Sequence, residues 1–269
     1  MPEISVLMGV YYHRPDIQLL ERSVKSVLEQ TVKDIELLIC DDGSIEEAVA
    51  YVDKLAKDDG RVHVVREGTL YSLPAKLNAC LNEAKGKWIA RMDDDDYSHL
   101  NRFRRQLDYL NKHPEVDFVG CNVNLVLDGQ ILGRRMFPEK PEIEDFYITQ
   151  PYIHPALMFK REILLDVQGY SQDKHCLLCE DYDLLLRLYE NGYCGANIQE
   201  VLFDYSVSDS LNSKRAFKYR VNEMITRCRR FSKLHKMPKA LPYVIKPIVA
   251  GLLPEKALKA IKTKIIVKN

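Results

Sequence analysis

The sequence lacks the long hydrophobic run that a membrane-spanning helix requires. Such a helix takes about 20 consecutive apolar residues, whereas the longest apolar stretch here, residues 240–253, spans 14 and contains Lys246. The first residues, Met1 to Ile4, also lack the basic segment and apolar core of a secretory signal. We therefore expect a chain that is neither exported nor threaded through a bilayer.

Motifs that define several enzyme classes are absent as well. The sequence has no Gly-rich phosphate loop, no Gly-x-Ser-x-Gly nucleophile elbow and no His-Glu-x-x-His zinc motif. The seven cysteines are an odd number scattered along the chain, which favours reduced thiols and a cytoplasmic location. His175, Cys176 and Cys179 form one short cluster, but zinc usually needs a second pair of ligands. A metal or redox role is therefore the weaker interpretation of this cluster.

Acidic and basic residues balance over the whole chain but not along it. The 269 residues include 39 Lys and Arg and 39 Asp and Glu. Residues 214–269 hold 16 basic and 2 acidic residues, a balance of +14, so residues 1–213 carry −14. A basic segment of this kind suits an anionic surface, either a membrane or a nucleic acid. Because the acidic body would repel a phosphate backbone, a nucleic-acid binder that works through the tail is only the second alternative.

Two hydrophobic periods alternate in the first part of the chain. Short apolar runs predict strands, and stretches with one apolar face predict the helices between them. The predicted strands occupy residues 4–10, 36–40, 61–65 and 87–92. This alternation predicts an α/β fold, Rossmann-like, with a mainly parallel sheet and helices on both faces. Ligands of such folds bind at the carboxyl ends of the strands.

Less regular elements follow Pro114. Residues 117–137 predict strands joined by a hairpin turn at Asp128-Gly129, and residues 154–159 predict another strand. Residues 180–189 predict a helix, and residues 215–235 predict a basic one.

Acidic clusters stand at two predicted strand ends, where the fold places a ligand. Four consecutive aspartates, Asp93 to Asp96, raise one another's pKa unless a cation neutralises them, and oxygen ligands favour Mg²⁺ or Mn²⁺. A solvated loop or a helix N-terminus is the alternative. Asp41 and Asp42 end another strand near Tyr11; they suit either a turn or a site for a nucleotide base or ribose. Glu180-Asp181 suits either a helix N-terminus or a general base.

An ordered set of segments resembles the family 2 glycosyltransferases of the GT-A fold, of the type found in bacterial cell-surface polysaccharide synthesis. The resemblance covers roughly residues 3–210. Each segment alone is a weak signal, but the set keeps the family's order. The segments are Ile4–Tyr11, Ser23–Thr31, Asp34–Ser44, Leu77-Asn78, Trp88–Ser98, His154–Phe159, Gly169-Tyr170 and Glu180–Leu188.

The resemblance implies a role for each matching residue. Asp42 would hydrogen-bond a uracil-like base, supported by Asp41, with Tyr11 stacking nearby. Asp93 or Asp94 would lie near the ribose, and Asp95, with Asp93, would hold the metal that bridges the donor's diphosphate. Asp181 would deprotonate the acceptor hydroxyl for a single displacement with inversion. The acceptor-side or supporting residues would be Glu180, His154 and Asp96.

Taken together, these features predict an inverting, metal-dependent transferase that moves one sugar from a nucleotide-sugar, UDP-linked by preference, to a saccharide or lipid-linked acceptor. The Gln-x-x-Arg-Trp motif of processive synthases is absent, which favours transfer of a single sugar. A sugar nucleotidyltransferase is the alternative, although the Gly-rich basic loop it needs after the first strand is missing.

The resemblance and the charge distribution also predict how the chain is divided and where in the cell the protein works. Residues 1–213 would form the GT-A domain, with a nucleotide-binding half to about residue 113 and an acceptor half from 114 to 213. Residues 214–269 would form a basic, amphipathic helical tail. Its apolar and lysine-rich stretch at 240–269 predicts peripheral attachment to the anionic inner face of the cell membrane, without a nucleic-acid partner.

Overall fold

The computed structural model describes residues 1–14, 17–66, 70, 72–207 and 216–252. Its strands are β1 (Ile4–Val10), β2 (Ile35–Asp41), β3 (Val62–Val65), β4 (Trp88–Arg91), β5 (Tyr97–Ser98), β6 (Phe118–Leu127), β7 (Gln130–Arg135), β8 (Met158–Lys160) and β9 (Gly195–Ser206). Its α-helices are α1 (Gln18–Leu28), α2 (Glu46–Asp58), α3 (Leu73–Glu83), α4 (Arg102–Lys112), α5 (Arg161–Asp166), α6 (Glu180–Glu190), α7 (Phe217–Lys233) and α8 (Leu241–Leu252).

One sheet connects all the strands of the described residues. β1 pairs in parallel with β2 and β4, and β2 pairs in parallel with β3. β8 runs antiparallel to both β4 and β6, so β6 points the same way as β4, and β9 is parallel to β6. Six of the nine strands therefore share one direction, and the predicted mainly parallel sheet is confirmed.

Helices cover both faces of this sheet, as predicted. Side chains of a strand alternate between its two faces. In β1, Val6 and Met8 face a core shared with α1, α2 and α4, whereas Leu7 faces a second core shared with α3, α5 and α6. The ligand edge at the strands' carboxyl ends is left between these two helical layers.

The second half of the chain confirms one local prediction and corrects another. The turn between β6 and β7 lies at Asp128 and Gly129, whose φ values of 47° and 78° are those of a tight hairpin turn. The strand predicted over residues 154–159 is wrong at its start, because His154–Ala156 form a 3₁₀ turn and β8 begins at Met158. Pro155 explains the difference, since it has no N–H to give to a sheet.

The basic helix α7 is joined to the body by buried ion pairs. Arg230 donates to Asp183 at 2.7 Å and to Glu190 at 3.0 Å, both on α6. The helix α8 then packs along α7. None of the helices in the described ranges is long and apolar enough to cross a membrane. The helix predicted after Pro254 lies outside the described residues, and the division of the chain at residue 214 stays a prediction.

Candidate functional site

The acidic cluster after β4 contains one aspartate that is turned into the protein. Asp96 is buried, and its carboxylate accepts a hydrogen bond from the Ser206 N–H at 2.7 Å. Burial, followed by repulsion from Asp93 and Asp95, raises the pKa of Asp96 well above its usual range. Asp96 thus ties the end of β9 to the acidic loop.

Asp94 has a carboxyl group that titrates near neutral pH. Burial is the main cause, followed by the charges of Asp95 and Asp93, and together they raise the pKa of Asp94 to about 7. A hydrogen bond from the backbone N–H of Tyr11 opposes the shift. This bond also connects the acidic loop to the end of β1.

Arginines pair with the other two aspartates. The guanidinium of Arg91, itself fully buried in β4, forms an ion pair with Asp93. Arg14, in the loop after β1, donates to Asp95 at 2.6 Å, and Arg22 donates to the Asp95 backbone oxygen at 3.1 Å. Burial and the charge of Asp93 still raise the pKa of Asp95, against the effect of Arg14.

The donor atoms of Asp93 and Asp95 fit a divalent cation that is shared with a phosphate ligand. Within the described part of the chain, no three His, Cys, Asp or Glu side chains converge as an all-protein metal cage would require. Mg²⁺ and similar cations, however, are usually held by one or two carboxylates together with substrate phosphates. The guanidinium of Arg14 already places a positive charge beside Asp95. Asp95, with Asp93, therefore suits a cation that binds together with a diphosphate.

The ends of β1 and β2 form a second part of the crevice. The Tyr11 side chain is 66% exposed, and the Lys76 ammonium lies 5.1 Å from its ring centroid. Lys76 also forms a buried ion pair with Asp42, and the Leu70 N–H donates to Asp42 at 2.6 Å. The exposed Tyr11 ring can stack on a planar base. The Asp42 carboxylate beside it is a hydrogen-bond acceptor, and the Lys76 ammonium is a donor.

Asp41 takes a supporting position in this part. Its carboxylate accepts from the Ser44 hydroxyl, and Ser44 in turn accepts from the Tyr12 N–H at 2.8 Å. Tyr12 itself is buried in the core. These contacts fix the ends of β1 and β2 relative to each other.

Glu180 and Asp181 begin helix α6. The Asp181 carboxylate accepts from the Tyr182 N–H at 2.7 Å. Burial raises the pKa of the Tyr205 phenol, and the charges of Asp93 and Asp181 raise it further. The Tyr205 phenol therefore lies within electrostatic reach of both the acidic cluster after β4 and the start of α6.

His154 lies beneath the crevice in a buried network. Its Nε2 is 2.9 Å from the Tyr170 hydroxyl, and burial together with the nearby charge of Arg91 lowers the pKa of His154 well below its usual value. The amide of Asn78 bonds the Tyr170 backbone N–H and carbonyl at 2.7 and 2.8 Å. The geometry gives His154 a supporting position and not contact with an acceptor, because its side chain is buried.

Cys176 and Cys179 lie in a buried environment that suits a structural role. Both cysteines are buried, and Cys179 lies 3.5 Å from the Thr226 hydroxyl on α7. Burial raises the pKa of the Cys176 thiol and raises that of Cys179 to about 12, which disfavours the thiolate needed for metal binding.

Sequence reasoning missed the cations of the site. Lys76 and Arg91 each carried a readable signal, because each is a charged residue within an otherwise apolar face or strand. Arg14 carried none, since its partner Asp95 is 81 positions away in the chain.

Two solved structures with the same fold are complexes with nucleotide-sugars. S. aureus TarS, residues 1–349, in complex with UDP-GlcNAc has a TM-score of 0.69 at 16% identity, over 91% of this chain and 73% of that one. The mannosyltransferase PcManGT from Pyrobaculum calidifontis, in complex with GDP-Man and Mn²⁺, has a TM-score of 0.61 at 18% identity, over 99% and 81%. The architecture is therefore the GT-A fold, as the resemblance implied.

Sequence comparison then gives the family. The profile described as Glycosyl transferase family 2 matches residues 5–167. EpsE of Bacillus subtilis (strain 168) is 31% identical over 258 residues, which cover 94% of this chain and 90% of EpsE. The chain belongs to glycosyltransferase family 2 and is a glycosyltransferase. This assignment contradicts the alternative hypothesis of a sugar nucleotidyltransferase.

Of two further relatives, one is named for a polysaccharide and the other for its donor and lipid-linked acceptor. The amylovoran biosynthesis glycosyltransferase AmsE of Erwinia amylovora is 30% identical over 82% of both chains. The UDP-Gal:alpha-D-GlcNAc-diphosphoundecaprenol beta-1,3-galactosyltransferase of Escherichia coli is 30% identical over 83% of this chain and 81% of that enzyme. The resemblance to family 2 enzymes of bacterial polysaccharide synthesis is thus confirmed.

Proposed function

We propose that this glycosyltransferase moves a single sugar from a UDP-linked donor to a saccharide or lipid-linked acceptor, with inversion, in the synthesis of a cell-surface polysaccharide. The observation that supports this proposal most directly is the set of charged groups beyond the ends of β1, β2 and β4. Asp42 lies with Lys76 beside the Tyr11 ring, Asp94 accepts from the Tyr11 N–H, and Asp181 and Asp93 both raise the pKa of the Tyr205 phenol.

The base-binding end suits uracil. Tyr11 offers an exposed ring for stacking, and the pair of Asp42 and Lys76 places an acceptor beside a donor. The edge of uracil presents a donor N–H between two carbonyl acceptors, which complements that arrangement. Asp41 acts here by holding the Ser44 turn in place.

The acidic centre would hold a divalent metal, Mn²⁺ or Mg²⁺, through Asp95 and Asp93. The cation, when bound, supplies Lewis-acid stabilisation of the diphosphate leaving group. The chain's own contribution is positional, because Arg91 orients Asp93 and Arg22 bonds the backbone of Asp95. Asp94 would lie near the ribose, where its protonation changes the local charge.

The opposite side of the crevice would receive the acceptor. Asp181 would accept the proton of the attacking hydroxyl, as general bases do when they lie within hydrogen-bond reach of it. One displacement at the anomeric carbon inverts its configuration. Glu180, His154 and Asp96 would support this arrangement, the last two from buried positions.

The acceptor's chemistry suggests where the enzyme works. One relative is named for a diphosphoundecaprenol-linked acceptor. The long undecaprenyl hydrocarbon of such an acceptor resides in the cytoplasmic membrane. We therefore propose a cytoplasmic enzyme attached peripherally to the inner membrane face through residues 240–269.

A donor panel tests the proposal. The full-length protein is incubated with UDP-, GDP- and CMP-linked sugars and MnCl₂, with and without EDTA, and nucleotide release and thermal shift are measured. We expect a UDP-sugar to give both signals and EDTA to remove them. Equal responses to all nucleotides would contradict the assigned base-binding end, and no response to any of them would contradict the donor class.

A further inference from the structure

Helix α8 exposes an apolar stripe to solvent. Its outward positions recur every three or four residues, which places them on one side of the helix. They are 43–73% exposed: Leu241, Ile245, Val249 and Leu252. The other side of α8 is buried against the protein. The stripe is therefore a surface feature and not a part of the core.

Helix α7 extends this surface towards the catalytic crevice. The first turn of α7 meets the end of α8, since a Cβ on Gly251 would come within 2.6 Å of Arg220 Cδ. On its far flank, α7 holds the segment before α6, with the Asn222 amide donating to the Lys174 carbonyl at 3.0 Å. Val221 and Ile225 lie between these two contacts, half-buried and one turn apart.

Two exposed leucines complete the surface beside the candidate base. Leu177 and Leu178 are 39% and 51% exposed, and they immediately precede Cys179 and helix α6. Asp181 is thus three residues from the nearer leucine. We call the combined surface the outer apolar face; it consists of Leu177, Leu178, Val221, Ile225, Leu241, Ile245, Val249 and Leu252.

Helices α7 and α8 carry mainly basic side chains, whereas the acidic Glu180 and Asp181 follow the two exposed leucines. Residues 217–252 contain nine Lys and Arg and a single acidic residue, Glu223, which bonds Arg227 at 3.0 Å. Among the basic side chains, Lys218 on α7, Lys239 in the connection to α8 and Lys246 on α8 are exposed. Apolar side chains surrounded by cations are typical of surfaces that lie in the headgroup region of an anionic bilayer.

We propose that the outer apolar face binds an anionic lipid bilayer and holds the start of α6 at the membrane surface. The inference rests on the proposed function, which includes membrane attachment through residues 240–269, and adds the side chains that make the contact and its purpose, which is to bring the head of a lipid-linked acceptor to Asp181. The apolar side chains enter the acyl boundary, and the lysines contact the lipid phosphates. The described residues alone carry this surface, without the segment after residue 252.

Flotation of the full-length protein tests the surface directly. Wild type, the triple variant Ile245→Gln/Val249→Gln/Leu252→Gln and the control Leu100→Gln/Leu165→Gln are mixed with phosphatidylglycerol-containing or pure phosphatidylcholine vesicles. Glutamine keeps helix propensity while it removes apolar area. The control residues are similarly exposed, at 53% and 42%, but lie before α4 and on α5. We expect wild type and control to float with anionic vesicles and the triple variant to bind at least about tenfold more weakly.

Two other measurements separate the surface from the function. The UDP-induced thermal shift should be equal in all three proteins, and the triple variant should lose transfer to an acceptor embedded in vesicles but keep transfer to a short soluble one. Flotation of the triple variant at the wild-type level would overturn the proposal. So would a wild-type dimer that the triple variant converts to monomer, because the face would then bind a second copy. If flotation follows the surface but no acceptor is glycosylated, the proposed function fails while the membrane surface stands.

Discussion

Asp94 provides a quantitative test of the site's electrostatics. Its pKa rises from an ordinary 3.8 to about 7, mainly through burial and also through the charges of Asp95 and Asp93. Between these two values the folded protein keeps a proton that the unfolded chain has released. The free energy of unfolding therefore falls as pH rises from about 4 to 7, by about 1.4 kcal/mol per pH unit for one proton.

Asp94→Asn should remove this pH-dependent loss of stability. Asparagine resembles the protonated carboxyl group and keeps an oxygen that can accept the Tyr11 N–H. At pH 4 the variant and wild type should be about equally stable. Above pH 7 the variant should be more stable, by about 3–4 kcal/mol, which corresponds to roughly 10 °C in melting temperature for a chain of this size.

Urea denaturation at half-unit intervals from pH 4.5 to 8.5 measures the difference between the two proteins. Comparison with Asp58→Asn, an exposed carboxylate at the end of α2, controls for the loss of one surface charge. Because a bound cation favours the ionised form, MnCl₂ with UDP should reduce the advantage of Asp94→Asn. A difference that is constant with pH, or that grows towards low pH, would refute the assigned burial and repulsion.

Three further substitutions test separate parts of the molecule. Asp95→Ala should abolish activity and the Mn²⁺-dependent part of UDP binding without unfolding the protein, and near-normal turnover of EDTA-treated wild type would remove the metal from the proposal. Asp181→Asn should keep UDP binding but lower transfer about 10²–10⁴-fold, and an equal loss of UDP binding would make Asp181 a donor ligand. Arg230→Met should cost about 3 kcal/mol in urea unfolding, because it breaks a buried ion pair with Asp183; unchanged stability would contradict that contribution.

Local patterns predicted the first half of the fold closely, because its apolar residues recur with the short periods of strands and helices. The predicted strand 4–10 is identical to β1, and the predicted strand 36–40 lies within β2. These strands are buried on both faces, so their sequences are nearly continuous apolar runs, and acidic residues follow β2 and β4. The positions of Asp42 and Asp93 at the ligand edge follow from that ending alone.

Contacts between distant segments were not predictable in the same way. The pairing of Lys76 with Asp42 depends on how α3 packs beside β1 and β2, which no local period records. The basic tail shows the same limit, because Arg227 and Arg230 look like the solvent-exposed residues of a basic helix. They lie three positions apart on the buried side of α7, where carboxylates and carbonyl oxygens of the body accept their hydrogen bonds.

Paired charges lower the electrostatic cost of keeping carboxylates ionised at this site. Asp42, Asp93 and Asp95 each carry a positive side chain of the protein as partner, namely Lys76, Arg91 and Arg14. An isolated buried carboxylate would be expensive to keep ionised, and in practice it takes up a proton instead. Asp94, which is held by a backbone amide, behaves in that second way, with its pKa near neutrality. A divalent cation bound together with a diphosphate would compete with Arg14 for Asp95, and the Arg14 guanidinium would then be available to pair with a phosphate.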